Sequence, residues 1–260
     1  MNWKEYYQVH TMTAKEAVGH IKSGDRVVIA HACGEPSYLV DAMVANAAAY
    51  RDVEIVHMVA MGKGEYCKPE YAQNFRHNAF FVGASTREAI AEGRGDFTPS
   101  FFFEVPRQFS TTMPVDVAMV MVTPPDENGM CSLGVSVDYT LEAVKQAKTV
   151  IAQVNPQMPW TGPYSLVSVK ELDCIVEHEA PLIELAPPKI GEVEKAIGEH
   201  CASLIQDGAT LQLGIGAIPD AVLLFLKGKK DLGIHSEMFS DGVVELAEAG
   251  VITNAKKSLN

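Results

Sequence analysis

The sequence predicts an α/β fold made of two similar open parallel-sheet domains, the second incomplete. Three observations carry that expectation. Helical and strand patterns alternate along all 260 residues, which is the signature of a parallel sheet with helices on both faces. Segments 115–122 and 150–155 are apolar almost throughout, as strands buried on both faces must be. Finally, residues 21–30, IKSGDRVVIA, align with residues 205–214, IQDGATLQLG, and residues 52–58 align with residues 231–237. In each copy a helix precedes, a glycine turn breaks it, and a strand enters a glycine-bearing loop. A proline follows (Pro36 and Pro219), and then a second strand. A short match can arise by chance, but persistence across five successive elements favours duplication.

The elements follow in order. Residues 1–13 read as an irregular lead-in. Thr13 and Glu16 form a capping-box pattern that starts a helix over 14–21, stopped by Ser23-Gly24-Asp25. Strands are expected at 26–30 and 53–61, with a loop at 31–36 and a helix at 37–48 between them. A helix at 85–92 leads to a turn holding Arg94, Gly95 and Pro99. Strands at 101–105 and 115–122 come next, then a turn over Pro124–Gly129, a helix at 139–147 and a strand at 150–155. The proline-rich stretch 156–188 reads as short strands plus a linker, and a new amphipathic helix runs from 192 to 205. In the second copy, Leu211, Leu213 and Ile215 suit a buried strand, a helix starts at Pro219 and covers 220–226, and 232–234 form a short strand. The repeat therefore sets a first domain at 1–187 and the opening part of a second at 188–260. A sheet ending so soon would leave apolar edges open, so the chain is expected to be one piece of a longer protein.

Composition narrows the function. A net charge of −12 argues against nucleic acid as a partner, because bulk phosphate would go unneutralised. The five cysteines are odd in number and scattered without CxxC spacing, which suggests a reducing compartment and no structural zinc. The first residues, MNWKEYYQVH, lack an apolar leader core, and no stretch is long enough to span a bilayer. A cytoplasmic protein with no membrane partner is the expectation.

Candidate chemistry gathers in the second copy, in LQLGIGAIPD (211–220) and GIHSEMFSDG (233–242). Gly214 and Gly216 let a backbone approach a ligand closely, and the start of the next helix offers N–H groups for an anion or oxyanion. The strand at 232–234 delivers His235, Ser236 and Glu237 to the same sheet end, where open α/β sheets bind ligands. Where the first copy has Val56-His57-Met58, the second has His235-Ser236-Glu237. Position alone leaves Glu237 two readings, a nucleophile toward an acyl group or a cap facing water. His235 and Ser236 are adjacent in a strand and point to opposite faces, so they are no Ser/His pair. His31, His57 and His235 lack metal-ligand spacing and read as packing or hydrogen-bonding residues; no metal is expected. GIGAIP is not a dinucleotide fingerprint, for no acidic residue ends a suitably spaced strand. Met58, Met61, Met119 and Met121 read as core, and the lysines at 227–230 and 256–257 as solvated.

At these residues the chain resembles the acetyl-CoA hydrolase/transferase family. The resemblance rests on LQLGIGAIPDAV, GIHSEMFSDGVV, GKGEYCKPEY and MVMVTPPDENGMCSLG, with residues 192–199, and covers essentially the whole chain. It implies two similar CoA-transferase-like α/β domains. The Glu of the HSEM motif, Glu237 here, is implied to be the nucleophile, and the loop Gly214, Ile215, Gly216, Ala217 and Ile218 to lie against CoA and form the oxyanion site. The implied activity is transfer of CoA between a short-chain acyl-CoA (4-hydroxybutyryl-CoA or butyryl-CoA) and acetate through a glutamyl-CoA thioester. Coenzyme A is then a substrate, with no tightly bound cofactor, and a homo-oligomer is implied. Family members are longer and carry a GxGG segment facing the Glu. That segment is absent here, so the missing C-terminal half would be a partner and residues 1–260 alone inactive. An acyl-CoA hydrolase of the same fold is the nearest alternative; a non-catalytic module binding CoA or a sugar phosphate is another.

Overall fold

A computed structural model describes residues 1–258 of the chain. It divides into two compact units, Met1–Glu184 and Leu185–Asn260.

The first unit contains helices α1 (Trp3–His10), α2 (Ala14–Val18), α3 (Ser37–Ala45), α4 (Arg87–Ala91), α5 (Val105–Phe109) and α6 (Asp138–Gln146). Its strands are β1 (Arg26–Ile29), β2 (Val53–Val56), β3 (Phe75–Ala79), β4 (Gly95–Phe97), β5 (Val117–Val122), β6 (Met130–Ser132), β7 (Thr149–Val154), β8 (Leu166–Ser168) and β9 (Cys174–Glu177). Seven of them form one sheet in the order β4-β3-β2-β1-β5-β7-β9, and every pairing in it is parallel. An antiparallel ribbon of β6 and β8 stands apart. Alternate residues feed two cores. Val28, Ala118, Val120 and Ala152 join one with Tyr139 and Ala143 of α6. Val27, Ile29, Met119 and Ile151 join the other with Ala17 of α2 and Leu39 and Met43 of α3. Helices on both faces leave β5 no wet side, so all six of its residues are buried. From β1 the chain builds outward through β2, β3 and β4, then returns to add β5 on the other flank. The order therefore reverses between β1 and β5, and a crevice forms at their carboxyl ends.

Three local expectations fail for identifiable reasons. The lead-in is a helix, because Asn2 and Glu5 make a capping box and Trp3, Tyr6 and Tyr7 pack on the core. The aromatic run at 101–105 is a helical turn leading into α5, not a strand. Pro106 sits in the first turn of α5, where its missing N–H costs nothing. The expected turn around Gly95 is the edge strand β4, paired with β3.

The second unit holds α7 (Glu192–Leu204), β10 (Thr210–Leu211), α8 (Ala217–Leu224), β11 (Gly233–Ile234) and α9 (Asp241–Glu248). β10 and β11 pair in parallel, and Leu232 makes a further parallel bridge to Ile252. Its core joins Ala202, Val222, Leu223, Leu226, Ile234, Val243 and Leu246.

The repeat is written into the backbone of both units. Gly24 and Gly208 both have positive φ, 82° and 78°, and so do Asp52 and Asp231, at 54° each. Gly24 N–H donates to Arg51 O at 2.9 Å, and Gly208 N–H donates to Lys230 O at 2.8 Å. Ser23 Oγ accepts from Arg51 N, as Asp207 Oδ1 accepts from Lys230 N. Arg26 pairs with Glu54 in one unit and Thr210 with Gly233 in the other. Two glycine turns, two left-handed aspartates and the bonds between them recur together, which a chance match of ten residues would not produce.

Candidate functional site

In the second unit the candidate loop leaves β10 at Leu211 and enters α8 at Ala217. The helix starts two residues earlier than Pro219 suggests, so Ala217 and Ile218 are its first two residues and Pro219 its third. Proline fits the first turn because no intrahelical acceptor waits for its N–H there. Gly216 precedes the helix with φ 112° and ψ 180°, a region essentially closed to residues with a Cβ. No side chain caps this helix start. Ile215 and Ile218 are exposed. The loop thus presents backbone at Gly214 and Gly216 together with two exposed isoleucines at the positive end of a helix.

β11 brings the other half of the site. His235 N–H donates to Leu211 O at 2.9 Å, extending the ladder by one residue. Ser236 then turns back to the loop: its Oγ donates to Leu213 O at 2.7 Å and accepts from Leu213 N at 3.3 Å. The same oxygen accepts from Met238 N at 3.2 Å. One hydroxyl therefore ties the residue before Gly214 to the residues on both sides of Glu237. Glu237 itself is exposed. Sequence reasoning set Ser236 aside once a Ser/His pair was excluded. Its usefulness is as a backbone clamp, and its place two residues before Met238 was the available signal, since serine hydroxyls bond backbone two residues on.

The other residues singled out in the sequence fall elsewhere. His235 is exposed and lines a cleft of about 340 Å³ with Thr210, Leu211, Gln212, Lys257 and Ser258; Glu237 does not line it. Both residues lie past the end of β11, which stops at Ile234, so strand alternation does not set their relative directions. Lys229 Nζ donates to Ile205 O at 2.6 Å, and Lys256 lies 3.7 Å from Asp231. In the first unit His31 Nε2 meets Asp138 at 2.6 Å. His57 is fully buried, with Nδ1 2.9 Å from the Tyr66 hydroxyl. Burial, and then the neighbouring His77 and His31, hold the His57 imidazole well below its ordinary value. Met119 and Met121 are core residues. Burial pushes the thiols of Cys67 and Cys131 up to about 12 and that of Cys174 up to about 11, which leaves them poor nucleophiles. Among the described residues no group of three His, Cys, Asp or Glu is arranged to hold a metal, and no helix is long and apolar enough to cross a membrane.

One buried acid escaped the sequence reading. Glu35, in the loop after β1, is 2% exposed, and its Oε2 accepts from Met61 N at 3.1 Å and Gly62 N at 2.9 Å. Desolvation raises its carboxyl above the usual range against the pull of those two donors. Nothing in GEPS distinguishes it from an exposed loop residue.

The seven-stranded parallel sheet, and the second unit that repeats its opening turns and first strand pairing, place this chain among parallel α/β proteins, and comparison makes the family explicit. The chain belongs to the acetyl-CoA hydrolase/transferase family, whose N-terminal domain model matches residues 1–187. It is 60% identical over its whole length to the 4-hydroxybutyrate coenzyme A transferase of Clostridium kluyveri, covering 61% of that protein. It is 35% identical to the butyryl-CoA:acetate CoA-transferase of Anaerostipes caccae, covering 60% of it. Among solved structures, 4-hydroxybutyrate CoA-transferase from Porphyromonas gingivalis matches 99% of the chain with a TM-score of 0.87 at 40% identity, and 62% of that chain is covered. RipA from Yersinia pestis matches the whole chain with a TM-score of 0.95 at 32% identity, with 63% of it covered. The chain thus spans about 60% of the length of these relatives.

Proposed function

We propose that this chain is the part of a CoA-transferase that carries its nucleophile, Glu237. The enzyme moves CoA between a short-chain acyl-CoA, 4-hydroxybutyryl-CoA or butyryl-CoA, and acetate. The observation that carries the reading is the Ser236 clamp, which couples the Glu237 turn to the strand end entering the glycine loop. The names of the relatives support the substrates. Because the relatives are longer, the activity is proposed for a protein of their length. The remaining C-terminal part would supply further contacts, within a cytoplasmic homo-oligomer.

Glu237 carboxylate attacks the thioester carbonyl and forms a tetrahedral oxyanion, which N–H groups of Gly214, Ile215, Gly216, Ala217 and Ile218 stabilise. Collapse of that intermediate expels the CoA thiolate and leaves an acyl-glutamyl anhydride. The thiolate then attacks the glutamyl carbonyl, releasing the first carboxylate and leaving CoA on Glu237 as a thioester. Acetate attacks this thioester and the same steps run in reverse, so acetyl-CoA departs and the Glu237 carboxylate is restored. Acyl groups are exchanged between activated leaving groups, and no ATP is consumed. Loss of one oxyanion donor in such sites costs on the order of 10²–10³ in rate.

A hydrolase reading has support of its own in the family description, which joins hydrolase and transferase. Water replaces acetate in that case. Turnover of butyryl-CoA and 4-hydroxybutyryl-CoA with and without acetate separates the two. Incubating the active enzyme with acyl-CoA and no acceptor should place CoA on the peptide containing Glu237, and Glu237→Gln should abolish both adduct and exchange. A CoA adduct on another peptide, or full exchange by Glu237→Gln, refutes the assignment.

A further inference from the structure

The carboxyl end of the sheet in the first unit encloses a second, unrelated feature. A cavity of about 200 Å³ opens where the strand order reverses. Glu35 reaches it from the loop after β1, Tyr38 from α3, Met121 from β5, Gln153 from β7 and His178 from the residue after β9, with Ile183 beyond. Open parallel sheets bind ligands at this topological position, and here the first unit has a packed, two-sided sheet to hold one.

The lining is built around groups that want a polar partner. Gln153 is 1% exposed, and no protein group hydrogen-bonds to its Oε1. Glu35 keeps one oxygen, Oε2, on the Met61 and Gly62 amides. The His57 Nε2 lies 3.7 Å from the same oxygen, too far for a hydrogen bond. Asp41 at the rim is already paired with Lys63 at 2.9 Å. Tyr38 stacks on His178, with centroids 3.7 Å apart and planes 11° from parallel, and forms one flat wall. Met121, Ala180, Pro181 and Ile183 supply apolar surface.

This lining selects by chemistry. A carboxylate would set its acceptor oxygens against the buried acceptor Gln153 Oε1 and the Glu35 oxygens, and no Lys or Arg is among the described lining residues. An ammonium donates only, so it can serve Gln153 Oε1 but not the amide end of that side chain, and it must give up its hydration beside Met121 and Ile183. A hydroxyl donates and accepts, so it satisfies the Gln153 carboxamide in either orientation of its end. The cavity lies below the roughly 300 Å³ at which sites for drug-sized ligands begin, which limits the occupant to a short chain.

We propose that this cavity binds a short, uncharged, hydroxyl-headed alkyl molecule, its hydroxyl on Gln153 and Glu35 and its chain against Met121 and Ile183. The site lies wholly in the first unit and does not depend on the role of Glu237.

The test is ligand-observed saturation-transfer NMR on the whole chain, with 1-butanol as probe and butyrate and butylamine as charged counterparts of the same length. Saturable transfer to 1-butanol is expected, with a Kd on the order of 1–10 mM for so small a ligand, and with butyrate and butylamine at least about tenfold weaker. Gln153→Leu keeps the side-chain volume and should weaken 1-butanol binding about tenfold or more without lowering Tm. Ala180→Leu, which fills the cavity from its rim, should do the same by another route. Absence of saturable transfer, equal binding of butyrate or butylamine, or undiminished 1-butanol binding by both variants overturns the proposal.

Discussion

Ser236→Ala should cost little in folding and much in turnover. The substitution removes three hydrogen bonds, two to Leu213 and one to Met238. Each neutral bond contributes about 0.5–1.5 kcal/mol net. Ser236 is half-buried, so water can replace part of what is lost, and about 1–2 kcal/mol is expected for the set. For a unit of this size that is a fall in Tm of several degrees. The kinetic cost has a different origin. Without the clamp the Glu237 turn and the strand end before Gly214 move independently, and a misplacement of about 1 Å costs on the order of 100-fold. On the proposed function, the rate at which CoA loads onto the Glu237 peptide should fall about 10- to 100-fold with KM nearly unchanged, because the hydroxyl would position Glu237 without touching the substrate. Ser236→Thr retains the hydroxyl and should recover most of the loading rate. An Ala variant that loads at the parent rate, or a Thr variant as slow as Ala, refutes the positioning role.

Two further outcomes follow from the geometry. Gly216→Ala meets open space, since no atom lies within 4 Å of a built Cβ, but its φ of 112° and ψ of 180° carry strain; a loss of about 1–3 kcal/mol in denaturant melts is expected together with slower exchange, and an unchanged midpoint would mean the loop relaxes freely. Burial lowers the His77 imidazole to about 4 from 6.5, so the unfolded chain binds the extra proton first: stability is present above pH 6.5 and is lost as pH falls toward 4, by about 3 kcal/mol from this residue, and a pH series of melts in which His77→Gln leaves that slope unchanged would refute the attribution.

The large features were legible because each rests on a physical pattern spread over many residues. β5 could be read from six apolar residues in succession, and the duplication from a glycine turn, a strand and an Asp turn that recur together. The failures are local and share a cause. At 101–105 an aromatic run imitates a strand, and only the proline at 106 says otherwise. Asn2 was passed over as a cap, although Asn caps as well as Thr13 does. Glu35 and Gln153 could not be ranked at all, because their burial is decided by strands and loops distant in sequence.

The site itself was half legible, and the repeat explains which half. Equivalent positions in the two copies do opposite work. In the first, His57 is sealed in the core against Tyr66, and Met58 packs on the apolar cluster. In the second, Ser236 bonds the neighbouring strand end, and an exposed Glu237 follows. Comparing the copies exposes the difference at 237, where an exposed acid stands in place of a packed methionine. It says nothing of 236, because serine for histidine looks like a loss of chemistry. Only the distances reveal that the hydroxyl took over the task of joining the two strand ends, which lets the strand end stay ordered while its next residue faces outward.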